Sequence, residues 1–593
     1  MDRYPRDTPP AFRSKVDGVW KPITHREAAD RVQAIALGLR SLGVKPGDRV
    51  SILSENRPEW ALTDFACLAL EAADVPIYPT LPAKQAEYMW KDSGCAVICC
   101  STAEQAAKVF EVRGALPALR QVVVFDSAAR RDGAMTLAEV EALGRKAGGD
   151  AARFRADALT ARPETLATLI YTSGTTGEPK GVMLTHHNIC SNIAAALQVM
   201  PLSDRDETLS MLPLSHIFER MVDYTMFAAG VVINYAESFD KVAQNLAEVK
   251  PTVVVSVPRL YEKVYARVLE NALSGSGVKR GIFYWAKRVG EQCATYELAG
   301  LKVPAGLALQ RAVADRLVFA KLRARTGGRV KYFVSGSAPL AADVAKFFFA
   351  AKLPVIEGYG LTETSPVITL NRLDKAKLGT VGPVVPGVAI KIAADGEILA
   401  RGPNIMRGYY NKPEATTEAI DADGWFHTGD IGEIDAEGFL KITDRKKDLI
   451  KTAGGKYVAP QPIENLVKTN RFVANAVMLG DKRKFPIVIV VPNFETLERW
   501  ARERNLSAPS RTALIALPDV KAKMEREVMS PLRDLARYEM PKKVLLLDAD
   551  FSIESGELTP TLKVKRRAVE QRYGDLINRA YAEADATSAG IES

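Results

Sequence analysis

Short apolar runs rich in valine and isoleucine recur along this chain at residues 50–53, 122–125, 231–235, 253–257 and 332–334, and stretches with helical periodicity separate them. Each strand must bury an apolar face, and the helix that follows can cover it, so the alternation predicts an α/β architecture with several sheets' worth of strands. At 593 residues the chain is too long for one core, so two or more domains are expected, one of them large. The clearest boundary lies in "ITDRKKDLIKTAGGKYVAP", residues 442–460, where a charged stretch leads into a glycine pair. Beyond it "VANAVMLG", "FPIVIVVP" and "KVLLLD" supply short strands between helices, enough for a separate small α+β unit. The expected layout is a large multi-sheet α/β N-terminal domain over residues 1–444 and a small α+β C-terminal domain over residues 445–593.

One loop stands out. "YTSGTTGEPKG", residues 171–181, follows the apolar run 168–170 and combines glycines, hydroxyls, a proline and a lysine. Glycine lets the backbone approach a ligand and turn its N–H groups inward. Ser173, Thr175 and Thr176 add neutral donors, while Lys180 supplies the mobile positive charge that a polyphosphate needs. The loop reads as anion-binding, with a flexible surface loop as the bland alternative. Gly174, Gly177 and Lys180 do not fit the spacing G-x-x-x-x-G-K-[ST] of the common nucleotide loop. Thr185 is a fitting N-cap for a helix over "HHNICSNIAAAL", which places the loop between a strand and a helix.

Three further segments carry chemistry. In "EGYGLTET", residues 357–364, Tyr359 offers a flat face to a base, Thr362 a hydrogen bond to a phosphate, and Glu363 an oxygen ligand for Mg²⁺. "WFHTGD", residues 425–430, ends in Asp430, whose carboxylate can accept from two neighbouring ribose hydroxyls. In "TDRKKD", residues 443–448, Arg445 can reach the same sugar or a phosphate. Each alone also reads as an ordinary turn or solvated charge.

The net charge of +9 points to an anionic partner: nucleic acid, an anionic membrane surface or a nucleotide-like substrate. No stripe interleaves aromatic and basic residues, so nucleic acid is set aside. Between about residues 270 and 328, Lys279, Arg280, Lys287, Arg288, Lys302, Arg311, Arg316, Lys321, Arg323 and Arg325 outnumber the acidic side chains, with apolar residues interleaved. That stretch is either a basic amphipathic face for a membrane surface or a solvated helical pair packed on the core. Cys95, Cys99 and Cys100 lie in the apolar "CAVICCS" with no histidine near, which reads as buried thiols in a reducing cytosol. The first ten residues, "MDRYPRDTPP", lack the apolar stretch of a secretory signal, and no run approaches the length of a membrane span, so membrane contact is expected to be peripheral.

Phosphate loop, base platform, magnesium carboxylate and ribose carboxylate occur here in one chain and in a known order. The sequence resembles the adenylate-forming superfamily of acyl-CoA synthetases, luciferases and peptide-synthetase adenylation domains, over about residues 23–567. Within it the chain is most similar to long-chain fatty acyl-CoA synthetases, through "LPLSHIFER", "KPTVVVSVPRLYEKV", "VSGSAPL", "DRKKDLIKTAGGKYVAP" and "GELTPTLKVKRR". The resemblance implies a large N-terminal domain, a small mobile C-terminal domain and a nucleotide between them. It implies that Thr172, Ser173, Gly174, Thr175, Thr176, Gly177 and Lys180 cradle the β- and γ-phosphates. Gly336, Ser337, Ala338 and Pro339 would line the adenine pocket with Glu357, Gly358, Tyr359 and Gly360. Thr362 would meet the α-phosphate, Glu363 the metal, and Asp430 with Arg445 the ribose.

His216 matches the family histidine beside the carboxylate substrate; a satisfied core histidine is the alternative. Lys447 matches the hinge about which the C-terminal domain turns, and Gly454, Gly455 and Lys456 the coenzyme A surface. Lys563 aligns with the catalytic lysine, with Leu562 where other members carry glycine and Lys565 as the rival. Phe218, Val222, Phe227 and Gly358 are candidates for the wall of an acyl tunnel, with core packing as the competing role.

The implied enzyme is a fatty acid:CoA ligase (AMP-forming), an acid–thiol ligase of lipid metabolism that uses Mg²⁺, ATP and coenzyme A. A fatty carboxylate would attack ATP to give acyl-AMP and pyrophosphate, and coenzyme A would then take the acyl group. The alternatives are a fatty acyl-AMP ligase serving a carrier protein and a non-catalytic lipid- or nucleotide-binding module. The resemblance is compatible with a homodimer and with a cytoplasmic protein held peripherally at the inner membrane face.

Overall fold

A computed structural model describes residues 10–172, 178–273, 275–453, 456–552, 554–559 and 564–589. Two eight-stranded sheets dominate the N-terminal region. In spatial order the first runs Gly408–Tyr409, Lys180–Thr185, Leu166–Thr172, Ala73–Ile77, Arg49–Leu53, Val97–Cys100, Gln121–Val124 and Ala134–Thr136. The second runs Val367–Leu370, Val355–Gly360, Tyr332–Ser335, Val253–Ser256, Glu207–Ser210, Val232–Tyr235, Phe12–Val16 and Val19–Ile23. The first is parallel from Leu166–Thr172 to Ala134–Thr136 and antiparallel only at its Gly408–Tyr409 edge, whereas the second is parallel in the middle and antiparallel at both edges. The five runs read as strands from the sequence are all strands here, each within one or two residues of the expected bounds. They were legible because strands buried on both faces are continuously apolar.

The two sheets share one apolar cluster, in which Ile52 and Val97 of the first meet Ile233, Val255 and Val334 of the second together with Trp60 and Leu62 of the helix Pro58–Ala69. A four-stranded antiparallel sheet follows, ordered Ala389–Ile392, Glu397–Arg401, Phe426–Ile434 and Leu440–Arg445. Beyond it a separate cluster running from Ile450 to Tyr581 forms around the three-stranded sheet Val473–Leu479, Ile487–Pro492 and Val544–Leu546. The chain is therefore a large α/β region with several sheets and a small α+β unit at its C-terminal end.

One local expectation is corrected. The loop after Thr172 does not lead into a helix; it joins the antiparallel strands Leu166–Thr172 and Lys180–Thr185. "KGVMLT" is apolar enough to pair, with Val182 and Leu184 fully buried. The helix His186–Val199 comes only after that return strand, capped as expected: Thr185 Oγ1 accepts from Asn188 N–H at 3.2 Å. All six cysteines are free thiols and five are buried, among them Cys95, Cys99 and Cys100. Among the described residues no helix is long and apolar enough to cross a membrane.

Candidate active site

The phosphate-loop residues Ser173, Gly174, Thr175, Thr176 and Gly177 lie outside the described residues, but both ends of the loop are placed. Thr172 and Lys180 are register partners at the mouth of the hairpin. Lys180 Nζ sits 4.9 Å from the centre of the Tyr409 ring, a cation–π contact that holds the ammonium over the site. Tyr409 belongs to the short strand Gly408–Tyr409, which pairs with the strand that begins at Lys180. Its hydroxyl donates to Glu363 Oε1 at 2.9 Å.

Glu363 stands on a single 3-10 turn, Thr362–Thr364, at the tip of the hairpin between Val355–Gly360 and Val367–Leu370. Gly360 is required there, because a methyl group on it would lie 1.6 Å from the Pro366 carbonyl oxygen. The Met406 N–H donates to the Glu363 carbonyl at 2.8 Å and fixes the turn. Thr362 is buried beside it. Burial pushes the Glu363 carboxyl above the usual range, opposed by the Tyr409 hydroxyl and the positive charge of Arg445.

Asp430 and Arg445 lie directly opposite each other on adjacent antiparallel strands, and Arg445 Nε donates to Asp430 Oδ1 at 3.0 Å. The Tyr359 hydroxyl donates to Asp430 Oδ2 at 2.7 Å. The Arg445 side chain is 58 % exposed and that of Asp430 only 7 %, so the pair is half-buried with the guanidinium on the solvent side. Each carboxylate oxygen keeps a lone pair after these bonds, which is what paired ribose hydroxyls would use.

The loop carrying Gly336, Ser337, Ala338 and Pro339 is tied to this hairpin by Glu357, whose Oε2 accepts from Leu340 N–H at 3.1 Å. Ser337 has φ 69°, the left-handed region. A side chain on Gly336 would come within 2.7 Å of the Phe218 ring, so the loop closes against the start of the helix Ile217–Ala229. His216 caps that helix: its Nδ1 accepts from Phe218 N–H at 3.1 Å, which assigns the neutral ring's proton to Nε2. Phe227, by contrast, packs with Phe12 and Phe65 at ring distances of 5.6 and 4.9 Å, a core role.

Burial lifts the Glu357 carboxyl to about 7. Its folded value exceeds the unfolded one, so its contribution to stability is complete below about pH 4.5 and is lost as pH rises through about 7. Glu357→Gln keeps the acceptor for Leu340 and removes the ionisation. The variant should match wild type near pH 5 and exceed it by up to about 3 kcal/mol above pH 8 in urea denaturation.

Lys180, Tyr409 and Glu363 thus form one run of contacts and Tyr359, Asp430 and Arg445 another, and one hairpin carries both Tyr359 and Glu363. Gly358 and Gly360 lie on the same strand. Sequence reasoning missed Tyr409, whose only signal is the tyrosine pair in "RGYYN". It also missed Lys446, which bonds Asp395 at 2.6 Å and Glu397 at 2.9 Å. Lys447 is exposed just beyond that anchor. Lys456 lies in the C-terminal unit with its Nζ 5.9 Å from the Tyr538 ring. Gly454, Gly455 and Lys563 are outside the described residues.

The Tyr359–Glu363 hairpin, at the edge of a largely parallel sheet, is thus where Lys180 and Tyr409 on one side and Asp430 and Arg445 on the other come together. The chain belongs to the AMP-binding enzyme family, whose profile matches residues 2–410, with the AMP-binding enzyme C-terminal domain matching residues 447–517. It is 40 % identical to the long-chain-fatty-acid–CoA ligase FadD15 of Mycobacterium bovis, over 98 % of this chain and 96 % of that relative. It is 33 % identical to human long-chain-fatty-acid–CoA ligase 1, over 96 % of this chain and 83 % of the relative. The fold is shared with the adenylation domain of a carboxylate reductase from Mycobacterium chelonae, at TM-score 0.75 and 24 % identity, over 97 % of this chain and 89 % of that one.

Proposed function

We propose that this protein is a long-chain fatty acid:CoA ligase (AMP-forming) and that the residues gathered at the Tyr359–Glu363 hairpin carry its first half-reaction. The observation that supports the reading most is the meeting of Lys180, Glu363, Tyr359, Asp430 and Arg445 at one site from four distant segments.

In this reading Asp430 accepts from the ribose hydroxyls while Arg445 and Tyr359 hold its carboxylate in place. The Gly336–Pro339 loop and Tyr359 take the adenine. Lys180 swings from the Tyr409 ring to the β- and γ-phosphates. The fatty carboxylate, oriented beside His216, attacks the α-phosphorus; a new O–P bond forms, the bond to the bridging oxygen breaks, and pyrophosphate leaves. Lys563 and Thr362 stabilise the negative charge that grows on the α-phosphate oxygens. In the second half-reaction the coenzyme A sulfur attacks the acyl carbon and AMP departs.

Glu363 fits a magnesium ion. Its carboxyl is held against burial by a neutral tyrosine hydroxyl and the distant charge of Arg445. Among the described residues no group of three metal-ligating side chains exists, so the other ligands would be phosphate oxygens and water, the habit of Mg²⁺. Bound there, the ion would neutralise phosphate charge.

For the thiol step the C-terminal unit turns about Lys447, which brings Gly454, Gly455 and Lys456 to the site and removes Lys563. The domains divide at residues 444 and 445 in this reading. Anchoring of Lys446 by Asp395 and Glu397 gives the pivot a fixed side. Lys447→Pro should leave pyrophosphate release near wild type and slow thioester formation by an order of magnitude or more. Equal loss in both would oppose the hinge assignment.

The buried free thiols fit a cytoplasmic enzyme, and the substrate fits one working against the inner face of a membrane, with a homodimer as a further arrangement. The deciding experiment supplies purified protein with MgATP, coenzyme A and fatty acids of increasing length while following AMP and thiol loss. Pyrophosphate release and accumulation of acyl-AMP with coenzyme A untouched would indicate delivery to a carrier protein. No pyrophosphate release with any acid would leave a binding module.

A further inference from the structure

The helix Ala305–Ala314 is an outer layer of the N-terminal region. The helix Gly277–Leu298 separates it from the helix Ala342–Ala350, which lies on the second sheet. Its inner side buries Arg311 and Ala314. Along its outer side Leu309 is 71 % exposed, Val313 47 % and Leu317 43 %, and Leu301 in the preceding turn is 59 % exposed. Four-residue spacing on an α-helix drifts by roughly 40° a step. The π-helical turn Asp315–Phe319 is wider, so it brings Leu317 back toward the line of Leu309 and Val313. Single exposed leucines are ordinary; an aligned row of them with no element above it among the described residues is not.

Exposed cations stand at both ends of this ridge: Lys302 beside Leu301, and Arg316, Lys321 and Arg325 around Leu317. None of the four makes an ion pair among the described residues. The one acidic residue between positions 301 and 325 is Asp315, and Arg323 neutralises it at 2.7 Å. The ridge carries no aromatic anchor of the kind that concentrates energy in protein interfaces. Aliphatic side chains rimmed by unpaired cations match an anionic lipid surface, with the leucines at the acyl boundary and the cations among the phosphates.

We propose that the ridge from Leu301 to Arg325 docks this protein on anionic phospholipid membranes. The choice of a lipid partner rests also on the fatty-acid reading of the active site, whose substrate partitions into bilayers.

Co-sedimentation of the full chain with vesicles, in the absence of ATP and coenzyme A, tests the proposal without drawing on catalysis. Wild type should sediment with vesicles of equal phosphatidylglycerol and phosphatidylcholine, weakly with phosphatidylcholine alone, and less as salt rises. Each cation near the surface is worth roughly fivefold in partitioning, so R316E/K321E/R325E should lower it by two orders of magnitude or more. L309D/L317D should lower it by at least an order of magnitude, with unchanged melting temperature and unchanged pyrophosphate release on a water-soluble short-chain acid. Failure of wild type to bind anionic vesicles, or wild-type binding by R316E/K321E/R325E, overturns the proposal. If L309D/L317D instead converts a dimer to a monomer in sedimentation velocity and leaves vesicle binding intact, the ridge is a self-interface and the proposal fails. Should L309D/L317D not fold, the charge-reversed variant decides alone, since its three positions face solvent. Vesicle binding by a protein that activates no fatty acid would sustain the docking face and remove the fatty-acid reading.

Discussion

Lys563→Ala is expected to slow acyl-adenylate formation by about 10²–10³-fold, roughly 3–4 kcal/mol of transition-state stabilisation. Adenylation places new negative charge on the α-phosphate while pyrophosphate departs, and a positioned ammonium acts where that charge appears. Attack of a thiol on preformed acyl-AMP would make no such demand on the same group, because in the proposed cycle the lysine leaves with the C-terminal unit. Thioester formation from supplied acyl-AMP should therefore stay within a few-fold of wild type. Pyrophosphate release and thiol consumption, measured separately on the same preparation, check both halves. Equal loss in both would reassign Lys563, and the large defect appearing in Lys565→Ala instead would move the role by two residues. The Lys565 backbone N–H already donates to the Glu557 carbonyl at 2.7 Å, where it enters the helix Arg566–Arg572, which places Lys565 in the framework of the C-terminal unit.

Much of the site was legible because its parts are short and local. A glycine- and hydroxyl-rich string announces a backbone that must approach an anion, and Thr172, Lys180, Tyr359, Glu363, Asp430 and Arg445 were all readable in that way. Their meeting was not. Asp430 and Arg445 face each other because two strands pair antiparallel with a register shift near Ile431, a matter of sheet geometry that no residue type encodes. Tyr409 joins Lys180 to Glu363 through a two-residue strand, too short to carry a periodic signal. The return strand that begins at Lys180 was hidden for a related reason. A strand directly before a well-capped helix reads as part of the helix approach until its pairing partner is known.

The ambiguity over residues 270–328 had a physical source as well. Helical periodicity shows that one face is buried, and Phe283, Ala286, Val289 and Cys293 of Gly277–Leu298 are that face. Whether the opposite, basic side is merely solvated depends on how apolar its exposed residues are once neighbours are in place. In Ala305–Ala314 and the turn after it, the layer beneath consumes Arg311 and Ala314 and leaves Leu309, Val313 and Leu317 uncovered. The packing of this helical pair on the core is therefore seen in the structure, while a membrane role for its outer side rests on the docking proposal.

The largest stability effect is expected at Arg220, a residue outside the candidate nucleotide site. It lies one turn into the helix capped by His216, with a side chain only 1 % exposed. Its guanidinium donates to Asp64, to Asp74 at 2.6 Å, to Thr168 Oγ1 at 2.7 Å and to Tyr224 Oη at 2.8 Å. Those partners come from the helix Pro58–Ala69, from two strands of the first sheet and from its own helix, so one cation fastens the His216 helix to that sheet. Even with Arg220 present, burial lifts the Asp74 carboxyl to about 7. Arg220→Met leaves two buried carboxyls without a counter-charge and should cost about 3–5 kcal/mol at neutral pH. Loss of the cation raises both folded-state values further above the unfolded ones. The variant's deficit should therefore shrink on acidification toward about pH 5 and widen above about pH 8. Asp64→Asn and Asp74→Asn added to Arg220→Met should restore most of the loss at neutral pH, since a buried ion set replaced as a whole is close to neutral in stability while one broken in half is not. Urea denaturation of the single and triple variants at both pH values measures this. A pH-independent deficit, unrescued by the two asparagines, would mean that Arg220 contributes by packing between Trp60 and Tyr224 and not by charge.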